Sequence, residues 1–392
     1  MNNRVHSIDG IRGLSLFGIL AANMLIFQYG IWGKDEITHY SLSQFDLASL
    51  TFIKVVIEGS FMPIFTFLFG YGMIKMKETL SNKGKKVKRH FVRRSVFLLI
   101  IGGLHATYLW EGDILSFYGI MILFLLLFLN RKKKTILIWG LLLLTLTPLI
   151  GYGHLEETKE DKELLRTYVV NTIDIYGTGN YFEIKDQRNN EFPLNFPDYV
   201  YFIILMFVPW ISAPLFLLGM YAAKIGYFHQ PKKEASVYKI CALIFIPLGL
   251  LLKSASHLSV NENWIGVSEI LGANILALGY ISSFALLYVY AANSFILRGL
   301  EAVGKLSFTN YLMQTVICTS IFYGYGLGYF GKLGVFNGFL LSIFIFTIQM
   351  VTSTLYLNVF QTGPLEKLIR IWTYVSIKGK PKQVPAQSEI SA

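Results

Sequence analysis

Residues Gly102 to Gly119 read GGLHATYLWEGDILSFYG, and this stretch decides the fold. It begins inside one apolar run and ends inside the next, with His105, Trp110, Glu111 and Asp113 between them. Two apolar segments joined by a tight polar turn describe a pair of antiparallel membrane helices. An imidazole at membrane depth followed by two carboxylates is costly to keep in lipid, so such groups face a bundle interior or a cavity.

Composition extends that reading to the whole chain. Apolar residues make up 54% of 392, charged residues 15%, and the mean hydropathy is +0.50. A soluble domain carries about 25% charged residues, so the chain is an all-α, polytopic membrane protein. A spanning helix needs about 20 mainly apolar residues. Ten such segments fall at 13–32, 52–75, 95–111, 113–130, 135–152, 199–223, 237–256, 267–292, 306–329 and 335–359. One helical membrane domain therefore covers 1–378, with a large extramembrane segment at 153–198. Residues 379–392 read as a polar, disordered cytoplasmic tail.

Lys and Arg orient the bundle. With the N-terminus in the cytoplasm, inner segments hold 26 of the 35 basic residues and outer segments 18 of the 24 acidic ones. The expected topology is N-in and C-in. The net charge of +11 is then a topology signal, and nucleic acid is not an expected partner. The first apolar run is long enough to span and lacks a small-residue cleavage site, so it reads as a retained helix. Cys241 and Cys318 both fall within apolar spans and read as small buried hydrophobes.

Depth along each helix picks out candidate residues. Asp9 and Arg12 have the three-residue spacing of a helical ion pair; alternatively Arg12 greets an anionic ligand from the cytoplasm. Asn23 lies 11 residues beyond Arg12 and His105 lies 11 beyond Arg94, each about 16 Å into the membrane. Asn23 either bonds a neighbouring helix or joins His105 in a polar chamber open to the outside. His105 itself is either a satisfied core histidine or a base. Asp113 falls eight residues after it, which in straight helix is about 12 Å away. Glu58 lies near the outer end of the second span.

The run 77–94, KETLSNKGKKVKRHFVRR, ends in Arg93 and Arg94 and reads as a topology signal or as a dock for a phosphorylated ligand. Leu164, Leu165, Tyr168, Val169 and Ile173 recur at helical spacing, so an interfacial helix is expected over the chamber's mouth. Phe192 to Pro197, FPLNFP, reads as a turn back into the membrane. In the ninth span Thr309, Asn310, Gln314 and Thr315 either join helices or line a cavity. GPLEKLIRIWTYV at 363–375 reads as an amphipathic helix on the inner surface. His39 is the only histidine of the outer loop 33–50 and has no ligand partners, so no metal is expected.

Four stretches carry a resemblance to the YeiB family of bacterial membrane proteins. They are IDGIRGLSLFGILAAN at 8–23, FMPIFTFLFGYG at 61–72, GLHATYLWEGDILSFYG at 103–119, and the segment 304–328; GPLEKL at 363–368 adds a fifth. The family often has Lys before the Phe that opens the second stretch, where this chain has Ser60. The family in turn is distantly similar to heparan-alpha-glucosaminide N-acetyltransferase, mainly where Asp9, Arg12, Gly13 and Asn23 match. That enzyme's catalytic histidine has no clear counterpart here.

The resemblance implies an integral membrane acyltransferase that takes an acyl group from an acyl-CoA donor, acetyl-CoA foremost, on the cytoplasmic side. Its acceptor is a small molecule, glycan or lipid at or beyond the outer face. In this reading His105, Asp113 and Asn23 are catalytic, and Arg12, Arg93, Arg94, Asn310, Gln314, Glu58 and Trp110 bind donor or acceptor. A proton-coupled carrier or lipid-handling protein is the alternative, with His105, Asp113 and Glu58 on the path; a third reading makes the polar residues helix glue only. Membrane lipids are expected partners, and the apolar fourth, fifth and tenth spans offer surfaces for a homodimer.

Overall fold

The computed structural model describes residues 6–36, 39–153, 158–190, 193, 197–258 and 260–379. Within them all regular structure is helical. In chain order the α-helices are α1 (His6–Tyr29), α2 (Gln44–Phe52), α3 (Phe61–Ser81), α4 (Val87–Tyr108), α5 (Leu115–Leu125), α6 (Lys133–Leu146), α7 (Lys159–Thr178) and α8 (Tyr181–Asn190). They continue with α9 (Asp198–Ile225), α10 (Pro231–Lys253), α11 (Ile265–Ala291), α12 (Phe295–Lys305), α13 (Ser307–Phe322), α14 (Val335–Val359) and α15 (Pro364–Tyr374).

Seven helical runs are long and apolar enough to cross a bilayer: His6–Tyr29, Gln44–Ser81, Lys133–Gly151, Phe202–Ile225, Pro231–Lys253, Glu262–Ala291 and Val335–Val359. The chain is thus an all-helical, multi-pass membrane protein. The three remaining expected spans hold α4, α5 and α13, and each departs from an ordinary span. The first two turns of α4 are VKRHFVRR, α5 has 11 residues and α13 has 16. These three irregular helices carry His105 and its neighbours.

Two other segments differ from expectation. The second span is not one helix: α2 passes into a π-helical turn at Ile53–Ile57, breaks at Glu58 to Ser60, and restarts as α3. Gly59 takes the left-handed conformation there, with φ of 73°. A break leaves backbone carbonyls needing donors at low dielectric, and the buried Lys253 of α10 donates to the Glu58 carbonyl. The Glu58 side chain pairs with Lys34 at 2.6 Å. Residues 295–305, read as an inner connection, form α12 against α1. The expected turn at 192–197 and tail at 379–392 lie mostly outside the described residues.

α1 is the central column, touching α3, α11, α12, α13 and α14. Its approach to α12 depends on missing side chains. A Cβ at Gly13 would overlap the Leu300 carbonyl, and one at Gly304 would overlap the Asp9 carbonyl. Small residues let helix backbones close to this distance, where dispersion replaces the hydrophobic effect that lipid removes. Gly304→Ala is expected to force the pair apart at a cost of about 1–3 kcal/mol. Thermal unfolding of the purified protein in detergent checks this, and an unchanged midpoint would count against the close contact.

Candidate functional site

The site starts where α4 stops. After Tyr108 the amides of Leu109 and Trp110 both bond to the His105 carbonyl, and the chain leaves the helix. The last carbonyls of a helix have no partner within it; here α8 supplies them. Arg188 donates to the carbonyls of Thr107 at 2.8 Å and Leu109 at 3.0 Å, and the Tyr181 hydroxyl donates to that of Tyr108 at 2.8 Å. Between Gly153 and Asp198 the described residues form two helices, α7 and α8, of which α8 is fastened over the end of α4.

The chain then folds back, and Asp113 lands beside His105. Its Oδ1 is 3.0 Å from Nδ1, a quarter of the straight-helix separation. The same carboxylate accepts from the amides of Leu115 (3.1 Å) and Ser116 (2.8 Å), so it also caps the first turn of α5. Gly102 permits the close return of the chain, since a Cβ there would overlap the Ser116 nitrogen. Ser95, two turns earlier on α4, closes the hairpin by donating to the Gly119 carbonyl at 2.7 Å.

The second imidazole nitrogen, Nε2, lies 3.0 Å from Thr315 Oγ1 on α13. A carboxylate can only accept, so Nδ1 bears the proton donated to Asp113. In the neutral ring Nε2 is then the acceptor and the Thr315 hydroxyl the donor, an assignment that rests on the partners. The His105 and Asp113 side chains are 1% and 4% exposed. Rings of Tyr311 and Trp110 flank the imidazole at 5.5 Å and 6.4 Å. The Tyr311 hydroxyl donates to the Gly112 carbonyl and accepts from the Ile114 amide, fastening α13 to the turn.

Tyr311 also lines a cavity of about 270 Å³. Its wall includes Arg12, Arg94, Lys305 and Arg370, with Phe65, Phe69, Tyr118, Ile114 and Leu115 among the apolar and aromatic side chains. Arg12 pairs with Asp9 at 3.2 Å and Lys305 lies 3.7 Å from Glu301. Arg94 and Arg370 have no carboxylate partner among the described residues. The acid that lines the wall, Glu366, accepts from the amides of Phe308 and Thr309 and the Thr309 hydroxyl, at 2.7–3.0 Å. With both cationic and apolar side chains in its wall, the cavity suits an anionic amphiphile.

The other residues singled out from sequence fall elsewhere. Asn23, half-buried on α1, does not line the cavity, and no bond joins it to His105. The Arg93 carbonyl accepts from Trp372 Nε1 at 2.9 Å, and Arg93 lines a separate shallow groove. Asn310 donates to Ser353 and Gln314 to Gln349, joining α13 to α14. Glu58 stays at the helix break. Trp110 stacks on Phe27 with ring centroids 4.2 Å apart. Arg370 and Glu366 had no place in the sequence reading of the site; their three- and four-residue spacing with Ile369 and Thr373 on one helix face was the available signal.

Fold and site define a multi-pass helical membrane protein with a buried Asp–His–Thr chain beside a cationic cavity. Residues 222–376 match the family model described as "Protein of unknown function (DUF418)". The chain is 34% identical to the uncharacterized protein YxaH of Bacillus subtilis (strain 168), over 96% of this chain and 95% of that protein. It is 25% identical to the uncharacterized protein YeiB of Escherichia coli (strain K12), over 93% and 94% respectively. The chain belongs to the YeiB family. No solved structure matches it.

Asp113 holds together two elements at once, the imidazole and the start of α5. Asp113→Ala should therefore lower stability by about 2–3 kcal/mol, since it strands buried donors on both. Denaturation monitored by tryptophan fluorescence measures the loss; a variant as stable as the parent would refute the double role.

Proposed function

We propose that this chain is an integral membrane acyltransferase with a CoA-type donor on the cytoplasmic side and an acceptor at or beyond the outer face. One observation carries the reading: an imidazole oriented by a carboxylate lies against Tyr311, which walls a cavity in which two guanidinium groups have no carboxylate partner among the described residues. Acyl transfer needs a base for the acceptor and a grip on an anionic donor. His105 supplies the first and Arg94 and Arg370, with Arg12 and Lys305, the second. Arginine suits phosphate because its planar fork makes paired hydrogen bonds. The volume suits an acyl chain and part of the donor's arm, with the nucleotide held at the mouth.

In the transfer, Nε2 takes the proton of the attacking hydroxyl or amine as its bond to the acyl carbon forms. The carbon–sulfur bond breaks, and the proton passes to the departing thiolate. The proton on Nδ1 stays with the His105–Asp113 pair, which stabilises the imidazolium between the two events. The unwound segment at Glu58 to Ser60 supports a second reading as a carrier, since broken helices line many transport sites. Substrate-driven proton flux in liposomes without consumption of any acyl donor would favour that one.

Binding and turnover separate the roles. Arg94→Gln and Arg370→Gln should each weaken CoA binding about tenfold, or 1.4 kcal/mol, by calorimetry in nanodiscs. His105→Gln should bind CoA normally and lose at least about 100-fold in acetyl transfer. Full transfer by His105→Gln would remove the histidine from the chemistry.

The reading includes ten spans in the cell membrane with both ends inside. Single cysteines at Lys132 and Lys185, in a chain with Cys241 and Cys318 replaced by Ala, should react with an impermeant maleimide from opposite faces. Labelling of both from one face would overturn that topology.

A further inference from the structure

The acyltransferase reading leaves one feature of the site without a task, the hydroxyl of Thr315. Helical threonines usually return the hydroxyl proton to a carbonyl three or four residues back. Thr79, Thr145, Thr347, Thr352 and Thr354 all do so with the fourth residue back. Thr315 instead turns its hydroxyl to His105 Nε2 at 3.0 Å, while Asp113 holds Nδ1 at 3.0 Å. A hydroxyl hydrogen-bonded to a base that a carboxylate orients is the arrangement of an activated nucleophile.

The cavity points the same way. At about 270 Å³ it falls below the range of ordinary small-ligand pockets, about 300–1,000 Å³. His105, which Thr315 bonds, lies between the ring of Tyr311, part of this cavity's wall, and that of Trp110, next to a second polar group around Glu111. There the Tyr176 hydroxyl bonds Glu111, and the Trp110 indole nitrogen is buried without a partner among the described residues. A group held midway can receive an acyl unit from one side and give it to the other.

We propose that Thr315 is the nucleophile of a two-step transfer and carries the acyl group as an ester on Oγ. This rests on the acyltransferase reading. In the first step Oγ attacks the thioester carbon while Nε2 takes the hydroxyl proton. The carbon–sulfur bond breaks and the proton leaves with the CoA thiolate. In the second step an acceptor hydroxyl or amine gives its proton to Nε2 and attacks the ester carbon. The carbon–Oγ bond breaks, and Oγ recovers the proton.

A two-step path makes the first half reversible without any acceptor. The full chain in nanodiscs should therefore exchange isotopically labelled CoA into acetyl-CoA when no acceptor is present. Exchange should survive within about tenfold in Thr315→Ser and fall at least about 100-fold in Thr315→Val, which keeps the shape. Thermal unfolding of both variants verifies that they remain folded. Acid-quenched wild-type protein should carry acetyl on the peptide containing Thr315. Exchange in Thr315→Val within twofold of the parent overturns the acyl-threonine, as does transfer by the wild type with neither exchange nor label; either result leaves the acyltransferase reading standing. A wild type that neither exchanges nor transfers from any acyl-CoA overturns both.

Discussion

The bond between Asp113 and His105 is the constraint on which the rest of the structure depends. A neutral imidazole has one donor and one acceptor, and burying either without a partner costs a few kcal/mol. Both are satisfied only if α4 ends shortly after His105, the chain turns back within five residues, and α13 presents Thr315 on the other side. Each condition calls on another element. The end of α4 needs Arg188 and Tyr181 from α8. The turn needs Tyr311 to bond it at two points. The register of α13 is held by Asn310 and Gln314 against α14 and by Glu366 from α15.

This explains why the least regular helices surround the site. A uniform apolar span has no requirement beyond length and lipid-facing side chains, and α6, α10 and α14 meet it with mostly exposed leucine, isoleucine and phenylalanine. The helices that bring His105 and its partners together are cut, turned or shortened where they do so. α4, α5 and α13 show this, as does the break before α3, where Lys253 takes up a carbonyl that the interrupted helix leaves free.

The membrane class and the helical architecture were legible in the sequence because they rest on local quantities, hydropathy and the length of apolar runs. The place of Asp113 was not, because it depends on where α4 stops, and Arg188 sets that from eighty residues further along. The ninth-span cluster was visible as polar residues in an apolar helix, but its members point three ways. Thr309 bonds Glu366, Asn310 and Gln314 face α14, and Thr315 faces His105. Four adjacent letters in a sequence do not encode such divergence, since helical direction acquires meaning only from neighbours. Arg94 was singled out from its place just before the third apolar run, whereas Arg370 lay hidden in a helix read as a surface anchor.

Glu366 sets the order in which the bundle is completed. It satisfies the first amides of α13, yet it belongs to α15, the last helix described. Ile369 and Arg370 of that same helix wall the cavity. A chain synthesised from its N-terminus thus inserts every other helix before the cationic chamber has its final side. Until α15 has been made, the first amides of α13 lack their acceptor and the chamber lacks Ile369 and Arg370. Completion of the pocket therefore waits on the synthesis of α15.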